Sequence, residues 1–343
     1  MLKKIKVEDA VGTHLAHDIT EIRPGEFKGP AFRKGHEVCN EDICRLQKLG
    51  KHHLYLIDLD EDEIHENQAA SILANSLAGE GIVWEDNPKE GKIGLHAGCD
   101  GLLTIDAAAL AAFNMVDEVM CATLHSHTLV KKGELVAATR AIPLVMKRAP
   151  VERAAAIAAQ NGGVLSVNAL RRARAGLVIT GSEVFHGLIE DKFAPTLTEK
   201  ITGFGSEVTG VRFAPDDETV IAKAIEDHLT SGCDLLLVSG GMSVDPDDVT
   251  RKAIRMAGAG EVHYGAAALP GAMFLVADIG GVPLLGVPAC GLHHRITVLD
   301  LVLPRILAGE TIGKKELAFI GHGGLCKDCP ECTYPHCPFG KGM

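Results

Sequence analysis

The stretch from residue 234 to residue 248, DLLLVSGGMSVDPDD, is the strongest single indication of how this chain folds. It opens with a run of apolar residues that has the length and character of a buried β-strand. The run ends in Ser239, Gly240 and Gly241, a turn in which two glycines allow the backbone to approach a ligand closely. Acidic residues follow, at the start of a segment from 247 to 257 with helical character. The pattern predicts a strand, a glycine-rich turn and a helix in succession.

The same alternation repeats on both sides of this stretch. Strands are predicted at 176–180, 207–213, 273–279 and 283–287, and helices at 188–202, 216–230 and 292–307. Strands that alternate with helices of this length form βαβ units, in which a parallel sheet carries helices on both faces. The predicted fold class is therefore α/β, with a doubly wound, mostly parallel sheet. Ligands of such sheets lie outside the carboxyl ends of the strands.

Polar or glycine-containing turns follow the predicted strands. They contain Thr180, Gly181, Ser182 and Glu183, then Asp216 and Asp217, then residues 239–248, and finally Pro288. Backbone N–H groups of glycines and hydroxyl groups suit phosphate oxygens, and carboxylates suit a divalent cation or the amino groups of a heterocycle. Each turn also has a purely structural interpretation, because carboxylates at helix starts commonly act as N-caps. Four such turns at one edge of one sheet favour a binding site.

These turns resemble the molybdopterin-binding domain of the MoeA, MogA and gephyrin families. Residues 180–183 stand where those families have TGDE, and Asp216 and Asp217 stand where they have an acidic pair. Residues 239–248 stand where they have SGGxSxGxxD, in the same order and at the same spacing. The layout, with smaller domains upstream, is closer to MoeA than to the single-domain members.

The resemblance implies a ligand and a chemistry. The ligand would be molybdopterin or its adenylylated form, whose dithiolene takes up molybdenum or tungsten. Glu183, Asp217 and Asp248 would be catalytic, with Mg²⁺ assisting hydrolysis while molybdate or tungstate is inserted, and the protein would be a homodimer. The residues that the resemblance implies for cofactor binding are Thr180, Gly181, Ser182, Ser239, Gly240, Gly241, Ser243, Asp245 and Pro288.

Three positions near the expected ligand depart from the family. Ala272 stands where the PGKP motif has its lysine, and Cys290 stands where the LPGNP motif has its asparagine. Asp245 replaces the glycine of the SxG element. Loss of a lysine and gain of an aspartate both weaken the binding of an anion unless a cation intervenes.

The charge of the α/β region bears on how an anionic ligand is held, and two further hypotheses stand beside metal insertion. Between residues 173 and 309 there are 17 acidic and 10 basic residues, so long-range attraction does not draw an anionic pterin to the site. Backbone donors, Arg251 or Arg295, and Mg²⁺ are expected to supply the affinity instead. The second hypothesis is a non-catalytic carrier that delivers the cofactor to an oxidoreductase. The third is a metal or redox sensor in which the pterin domain regulates.

The chain is predicted to contain four parts. Residues 1–65 combine short strands and turns and would form a small β-rich domain. Residues 66–172, with Ala-rich helical segments, read as an α+β middle domain. Residues 173–312 are the molybdopterin-binding α/β domain, and residues 313–343 are a cysteine-rich tail.

The tail carries four of the ten cysteines, at Cys326, Cys329, Cys332 and Cys337. Without a secretory signal, a disulfide framework is a weaker interpretation of this cluster than a metal site. The spacing suits a Zn–S₄ site and also resembles the runs that hold [4Fe–4S] clusters, so both remain open, with His336 as an alternative ligand. Glycines between 321 and 324 suggest a hinge, and the tail would then be a handle for a partner.

Composition excludes several classes of function. The formal net charge of −11 argues against a nucleic-acid-binding protein, and 4% aromatic residues leave no stacking platform for single strands. The apolar stretches are shorter than a membrane span, and no apolar run follows the first lysines as it would in a signal peptide. We therefore expect a cytoplasmic protein without membrane or nucleic-acid partners.

Overall fold

The computed structural model describes residues 2–23, 26–57, 59–242 and 249–342, and the chain divides into two compact units. Unit 1 comprises Met1–Gly98, Ile105–Leu124 and Gly133–Ser166, and unit 2 comprises Cys99–Thr104, His125–Lys132 and Val167–Met343. Two short segments of unit 2 therefore interrupt the sequence of unit 1. The division into four parts stays a prediction.

The elements are named here in chain order. The strands are β1 Leu2–Lys6, β2 Ile19–Arg23, β3 Phe27–Phe32, β4 His53–Ile57, β5 Glu63–His65, β6 Ile82–Val83, β7 Lys92–Ala97, β8 Gly101–Ile105, β9 Val119–Thr123, β10 Thr128–Val130, β11 Leu135–Ala141, β12 Val145–Lys147, β13 Leu165–Asn168, β14 Arg174–Thr180, β15 Glu207–Ala214, β16 Leu235–Ser239, β17 Val262–Tyr264, β18 Leu275–Ile279 and β19 Val282–Val287. The α-helices are α1 Asn40–Lys48, α2 Glu66–Leu77, α3 Ala107–Asn114, α4 Arg148–Ala158, α5 Ser182–Phe185, α6 Phe193–Gly203, α7 Glu218–Thr230, α8 Thr250–Met256, α9 Val298–Leu307 and α10 Lys314–Phe319.

Unit 1 is built from small antiparallel sheets and four helices. Its largest sheet has the order β6-β7-β11-β9, and three two-stranded sheets pair β1 with β4, β2 with β3 and β5 with β12. Helices α2 and α4 contribute their apolar faces to a core that includes Leu73, Leu77 and Val151. Helix α1 was not predicted, although Cys39 and Asp42 form a capping box at its start.

Unit 2 is organised around a six-stranded sheet with the order β15-β14-β16-β19-β18-β17. Strand β14 pairs in parallel with β15 and β16, and β16 pairs in parallel with β19. Strand β18 runs antiparallel to both of its neighbours, β19 and β17. The sheet is therefore mostly parallel, which confirms the predicted fold class.

Helices cover both faces of this sheet, because successive side chains of each strand point to opposite sides. In β16, Leu235 and Leu237 face α6, α9 and α10, whereas Leu236 and Val238 face α7 and α8. Such strands are apolar on both faces, so they appear in the sequence as continuous apolar runs. That property made them predictable.

Two helix starts in unit 2 differ from the prediction. Helix α6 begins at Phe193 rather than 188, after the separate short helix α5. Helix α9 begins at Val298 rather than 292, because Thr297 and Asp300 form a capping box and residues 289–292 form a 3₁₀ turn. The Thr-x-x-Asp pattern was a visible signal for this start. No helix in the described part of the chain is both long and apolar enough to cross a lipid bilayer.

Candidate functional site

The strand register brings the predicted turns to one edge of the unit 2 sheet. Ser239 pairs with Ile179 on one side and with Val287 on the other, and Thr180 pairs with Ala214. Since β14, β15, β16 and β19 are parallel, their carboxyl ends lie side by side. The turns that follow these four strands are therefore neighbours, as the sequence predicted.

The turns after β14 and β15 are bonded to each other. The Ser182 N–H donates to Asp216 Oδ2 at 2.8 Å, and the Asp216 N–H donates to Ser182 Oγ at 3.1 Å. This reciprocal pair fixes the relative position of the two turns. Ser182 was predicted to bind the cofactor, and in this structure both its N–H and its hydroxyl oxygen have partners within the protein.

The predicted hydroxyl donors lie beneath the site rather than in it. Thr180 is 4% exposed, and its hydroxyl donates to the Ser239 carbonyl at 2.7 Å, which ties β14 to β16. Ser239 is fully buried, and its Oγ has no hydrogen-bond partner among the described residues. The Thr180 hydroxyl is therefore occupied, whereas the Ser239 hydroxyl keeps its bonding capacity next to residues that line the site.

The turn after β16 requires glycine at both positions. Gly240 and Gly241 have φ angles of +84° and +57°, in the left-handed region that favours glycine. A Cβ atom at Gly240 would lie 2.7 Å from the Thr180 carbonyl oxygen, and one at Gly241 would overlap the Thr250 hydroxyl. Backbone atoms of this turn can consequently approach a ligand with no side chain between them.

A cavity of about 630 Å³ opens at this edge, and we call it the strand-end cavity. Its size falls within the range of small-molecule sites in proteins. Of the predicted cofactor-binding residues, Gly240, Gly241 and Pro288 line it, whereas Gly181 and Ser182 do not. Among the described residues, the lining comprises residues 240–242, 269–273 and 288–290 with His294, Leu325, Cys326 and Asp328. Ser243, Asp245 and Asp248 lie outside the described residues.

The described lining contains no lysine or arginine, in agreement with the loss of the family's lysine at Ala272. The two arginines expected to help are not in it. Arg251 stacks over the ring of Tyr264 at 4.5 Å, and the Tyr264 hydroxyl donates to the carbonyl of the lining residue Met242 at 2.6 Å. Arg295 is exposed. The lining therefore favours a flat, largely uncharged portion of a ligand over a phosphate group.

The two described acidic candidates differ in their surroundings. Asp217 is the N-cap of α7, where its Oδ1 accepts hydrogen bonds from the N–H groups of Thr219 and Val220 at 2.9 and 3.1 Å. Hydrogen bonds from the Thr219 hydroxyl and from these two N–H groups lower the pKa of Asp217. Glu183 is exposed on α5 and makes no side-chain hydrogen bond with the described residues. Catalytic roles for both stay predictions.

Cys290 lies in the 3₁₀ turn after β19 and lines the strand-end cavity. The predicted helix over 292–307 would begin just after it, and the start of a helix stabilises a thiolate. Because α9 begins only at Val298, that stabilisation is missing, and burial raises the pKa of the Cys290 thiol. The residue is therefore a half-buried thiol in the cavity lining.

The four tail cysteines do not form a compact metal site in this conformation. Cys329 and Cys332 are exposed, whereas Cys326 lines the cavity and Cys337 packs against the apolar core. Within residues 2–23, 26–57, 59–242 and 249–342, no three His, Cys, Asp or Glu side chains are placed to hold one metal ion. A tail metal or cluster stays a prediction from the spacing.

Sequence reasoning missed the contribution of the tail to the cavity. Leu325, Cys326 and Asp328 were assigned to a separate metal-binding part, yet they line the same cavity as Gly240 and Pro288. No local pattern marks this contact, because it depends on a long-range pairing between the tail and the turn before Pro270. The apolar residues Tyr334 and Phe339 were the available signal that the tail docks on the domain.

Comparison with known proteins agrees with this location. Residues 176–308 match the family model described as a probable molybdopterin binding domain. These residues contain β15, β16, β19 and most of β14, together with most of the described cavity lining. Residues 4–58 match a domain of unknown function.

Curated relatives match over a short segment. CinA-like proteins of Mycobacterium tuberculosis and Mycolicibacterium gilvum are each 33% identical over 78 residues, which is 23% of this chain and 18% of theirs. This chain thus spans less than a fifth of the length of those relatives.

Solved structures match about two fifths of this chain. The molybdopterin biosynthesis enzyme MoaB of Thermus thermophilus is 23% identical, with 40% of this chain and 98% of that chain covered and a TM-score of 0.35. The tungsten cofactor synthesizing protein MoaB of Pyrococcus furiosus is 17% identical, with 40% and 96% covered and a TM-score of 0.32.

Proposed function

We propose that this protein binds molybdopterin, or its adenylylated form, in the strand-end cavity and acts in the biosynthesis of the molybdenum or tungsten cofactor. The observation that carries this proposal is the coincidence of two findings. The segment that matches the probable molybdopterin binding domain also builds a cavity where an open α/β sheet binds its ligands.

The chemistry of the lining supports a pterin as the ligand. Met242, Pro270 and Pro288 offer apolar surfaces to a planar ring system, and the backbone at Gly240 and Gly241 offers polar groups at close range. Cys290 and Cys326 add soft sulfur atoms to the same lining. A ligand with a flat heterocycle and a sulfur-rich end fits this surface better than one held mainly by its phosphate.

Metal insertion is the finer form of the proposal. Carboxylate oxygens are the ligands that Mg²⁺ prefers. Glu183, Asp248 and the Oδ2 atom of Asp217, which accepts no N-cap hydrogen bond, would bind the ion. The bound ion would neutralise phosphate charge during hydrolysis of the adenylylated ligand. Glu183 suits this role because its carboxylate is exposed and makes no hydrogen bond to the described protein.

A carrier without turnover is the second candidate function. Two observations favour it: Ala272 stands in the cavity lining where the resembled family has a lysine, and no other lysine or arginine is among the described lining residues. A carrier needs affinity for the cofactor but not stabilisation of charge that develops during hydrolysis. The recipient would be a molybdenum or tungsten oxidoreductase, with the homodimer as the expected assembly.

An insertion assay separates these functions. Anaerobically purified protein is incubated with adenylylated molybdopterin, molybdate and Mg²⁺, and released AMP and metallated cofactor are measured. We expect Mg²⁺-dependent product from the native protein and none from Asp248→Ala. Glu226→Ala is the matched control, because Glu226 is an exposed carboxylate on α7.

Three results are possible in this assay. Product that disappears in Asp248→Ala but not in Glu226→Ala supports metal insertion. Retention of pterin by the native protein without product supports the carrier. Absence of both binding and product contradicts the proposed function.

A further inference from the structure

The cysteine-rich tail is anchored to unit 2 near both of its ends. Phe339 is 3% exposed in the core formed by α6, α9 and α10, and Tyr334 and Cys337 pack against the same core. The Gly340 N–H donates to the Gly323 carbonyl at 3.0 Å, so the segment between these two glycines is a closed loop. This arrangement corrects the hinge suggested by the glycines at 321–324.

The first part of this loop lies against the turn that carries Ala272. The Leu269 N–H donates to the Gly324 carbonyl at 2.8 Å, and the Cys326 N–H donates to the Leu269 carbonyl at 2.9 Å. Gly324 is packed so closely that a Cβ atom there would come within 2.7 Å of the Ile320 carbonyl oxygen and closer still to that of Ala267. The position of this segment is therefore set by backbone contacts on both sides.

This pairing places tail residues in the wall of the strand-end cavity. Leu325, Cys326 and Asp328 line it together with residues of the turns that follow β16 and β19, and Leu269 and Leu325 are 56% and 73% exposed. Two large exposed apolar side chains on neighbouring backbone positions are poorly placed in water. A flat ligand in the cavity would cover both of them.

We propose that residues 324–328 are part of the ligand site, with Leu325 and Cys326 in contact with the bound cofactor, and that this segment limits access to the cavity. The inference rests on the proposed function for the identity of the ligand. It goes beyond that function because the tail lies outside the segment that matches the family. The tail then contacts the cofactor directly, whether or not its exposed cysteines bind a metal.

Access to the cavity can be measured without any pterin. Cys290 lines the cavity, so its rate of alkylation by iodoacetamide, followed by mass spectrometry of its peptide, reports how open the cavity is. Gly324→Ala should displace the tail segment and raise this rate about tenfold, as expected when a local contact opens. Gly203→Ala is the matched control, because Gly203 is a glycine of the same unit with no atom within 4 Å of its Cβ position.

Contact with the ligand is tested by a second variant that leaves the fold intact. Leu325 is largely exposed, so Leu325→Ser should fold normally and weaken the binding of metal-free molybdopterin about tenfold, the loss expected for an apolar side chain covered by a ligand. Met256→Ser, which changes an exposed apolar residue on α8, should bind as the native protein does. Equilibrium dialysis with fluorescence detection of the oxidised pterin gives both dissociation constants.

The outcomes separate this inference from the proposed function. Native rates at Cys290 in Gly324→Ala, or native affinity in Leu325→Ser, would overturn the role of the tail. Failure of the native protein to bind molybdopterin would overturn the proposed ligand. The alkylation experiment uses no pterin, so it still decides whether the tail closes the cavity.

Discussion

Single glycines shape the candidate site more than any charged residue does. Gly240 has a positive φ angle and stands against the Thr180 carbonyl, whereas Gly205 has a similar φ of +74° with no atom near its Cβ position. Alanine variants at these two glycines therefore separate two contributions to stability: the cost of a positive φ, which both share, and the cost of a steric overlap, which only Gly240 has. Sequence alone suggested a close backbone approach at Gly240 but could not show that the neighbour is Thr180.

We expect Gly205→Ala to lower the free energy of unfolding by about 1 kcal/mol, the usual penalty for a Cβ in the left-handed region. Gly240→Ala should lower it by about 2 kcal/mol more, because the added methyl group overlaps the strand beside it. Urea unfolding measures both values. Equal losses would show that the turn at Gly240 is free to relax.

Asp42 gives a residue-level prediction for unit 1. Burial acts to raise the pKa of Asp42, but the Cys39 N–H and thiol, both at 3.0 Å, and the ring of His36 at 2.7 Å donate hydrogen bonds that hold it at about 2. A depressed pKa in the folded state means that the stabilisation is complete above the ordinary value near 3.8 and is lost as the pH falls towards 2.

Asp42→Asn should therefore be less stable than the native protein by about 1–2 kcal/mol near pH 6, and this gap should close at about pH 2. Glu41→Gln, an exposed neighbour on α1, is the control and should show no such pH-dependent gap. Chemical denaturation at several pH values measures the difference in the free energy of unfolding between each variant and the native protein. A gap of the same size at both ends of this pH range would contradict the account of Asp42.

The parallel strands β14, β16 and β19 were predictable as elements because each is an apolar run that ends in a turn. The starts of helices were less predictable than the strands. At α9 the apolar pattern extends back to residue 292, but the capping box of Thr297 sets the observed start at Val298. The tail was not predictable as part of the cavity. Its four cysteines suggest a metal site, and that local pattern contains no information about the pairing of Leu269 with the tail.

The predicted tail metal can be tested at the level of this element. Cys326→Ser combined with Cys329→Ser should remove bound zinc or iron from anaerobically purified protein, because it deletes two of the four thiols. Cys39→Ser combined with Cys44→Ser, which changes two exposed cysteines of unit 1, should leave the metal content unchanged. Elemental analysis measures the zinc and iron content of both variants. A tail variant with the same metal content as the native protein would refute a metal site in the tail.

At the level of the whole molecule, the predicted α/β fold class is confirmed, and the division of the chain into four parts stays a prediction. Segments 99–104 and 125–132 belong to unit 2, and they contribute to a three-stranded sheet in which β8 lies between β10 and β13. Pairings between residues so far apart in the sequence leave no local signal. A prediction that divides the chain into consecutive parts therefore assigns both segments to the middle domain. The fold of the six-stranded sheet could be predicted, because strand and helix patterns alternate locally along this part of the sequence.

The central claim is that molybdopterin binds in the strand-end cavity, and protection of Cys290 tests it most directly. Native protein is alkylated with iodoacetamide in the presence and absence of saturating metal-free molybdopterin, and the Cys290 and Cys44 peptides are quantified. The account predicts that the ligand slows the reaction at Cys290 about tenfold or more, since a ligand in the cavity covers this thiol, while exposed Cys44 in unit 1 reacts as before. The same rate at Cys290 with and without bound molybdopterin would contradict it.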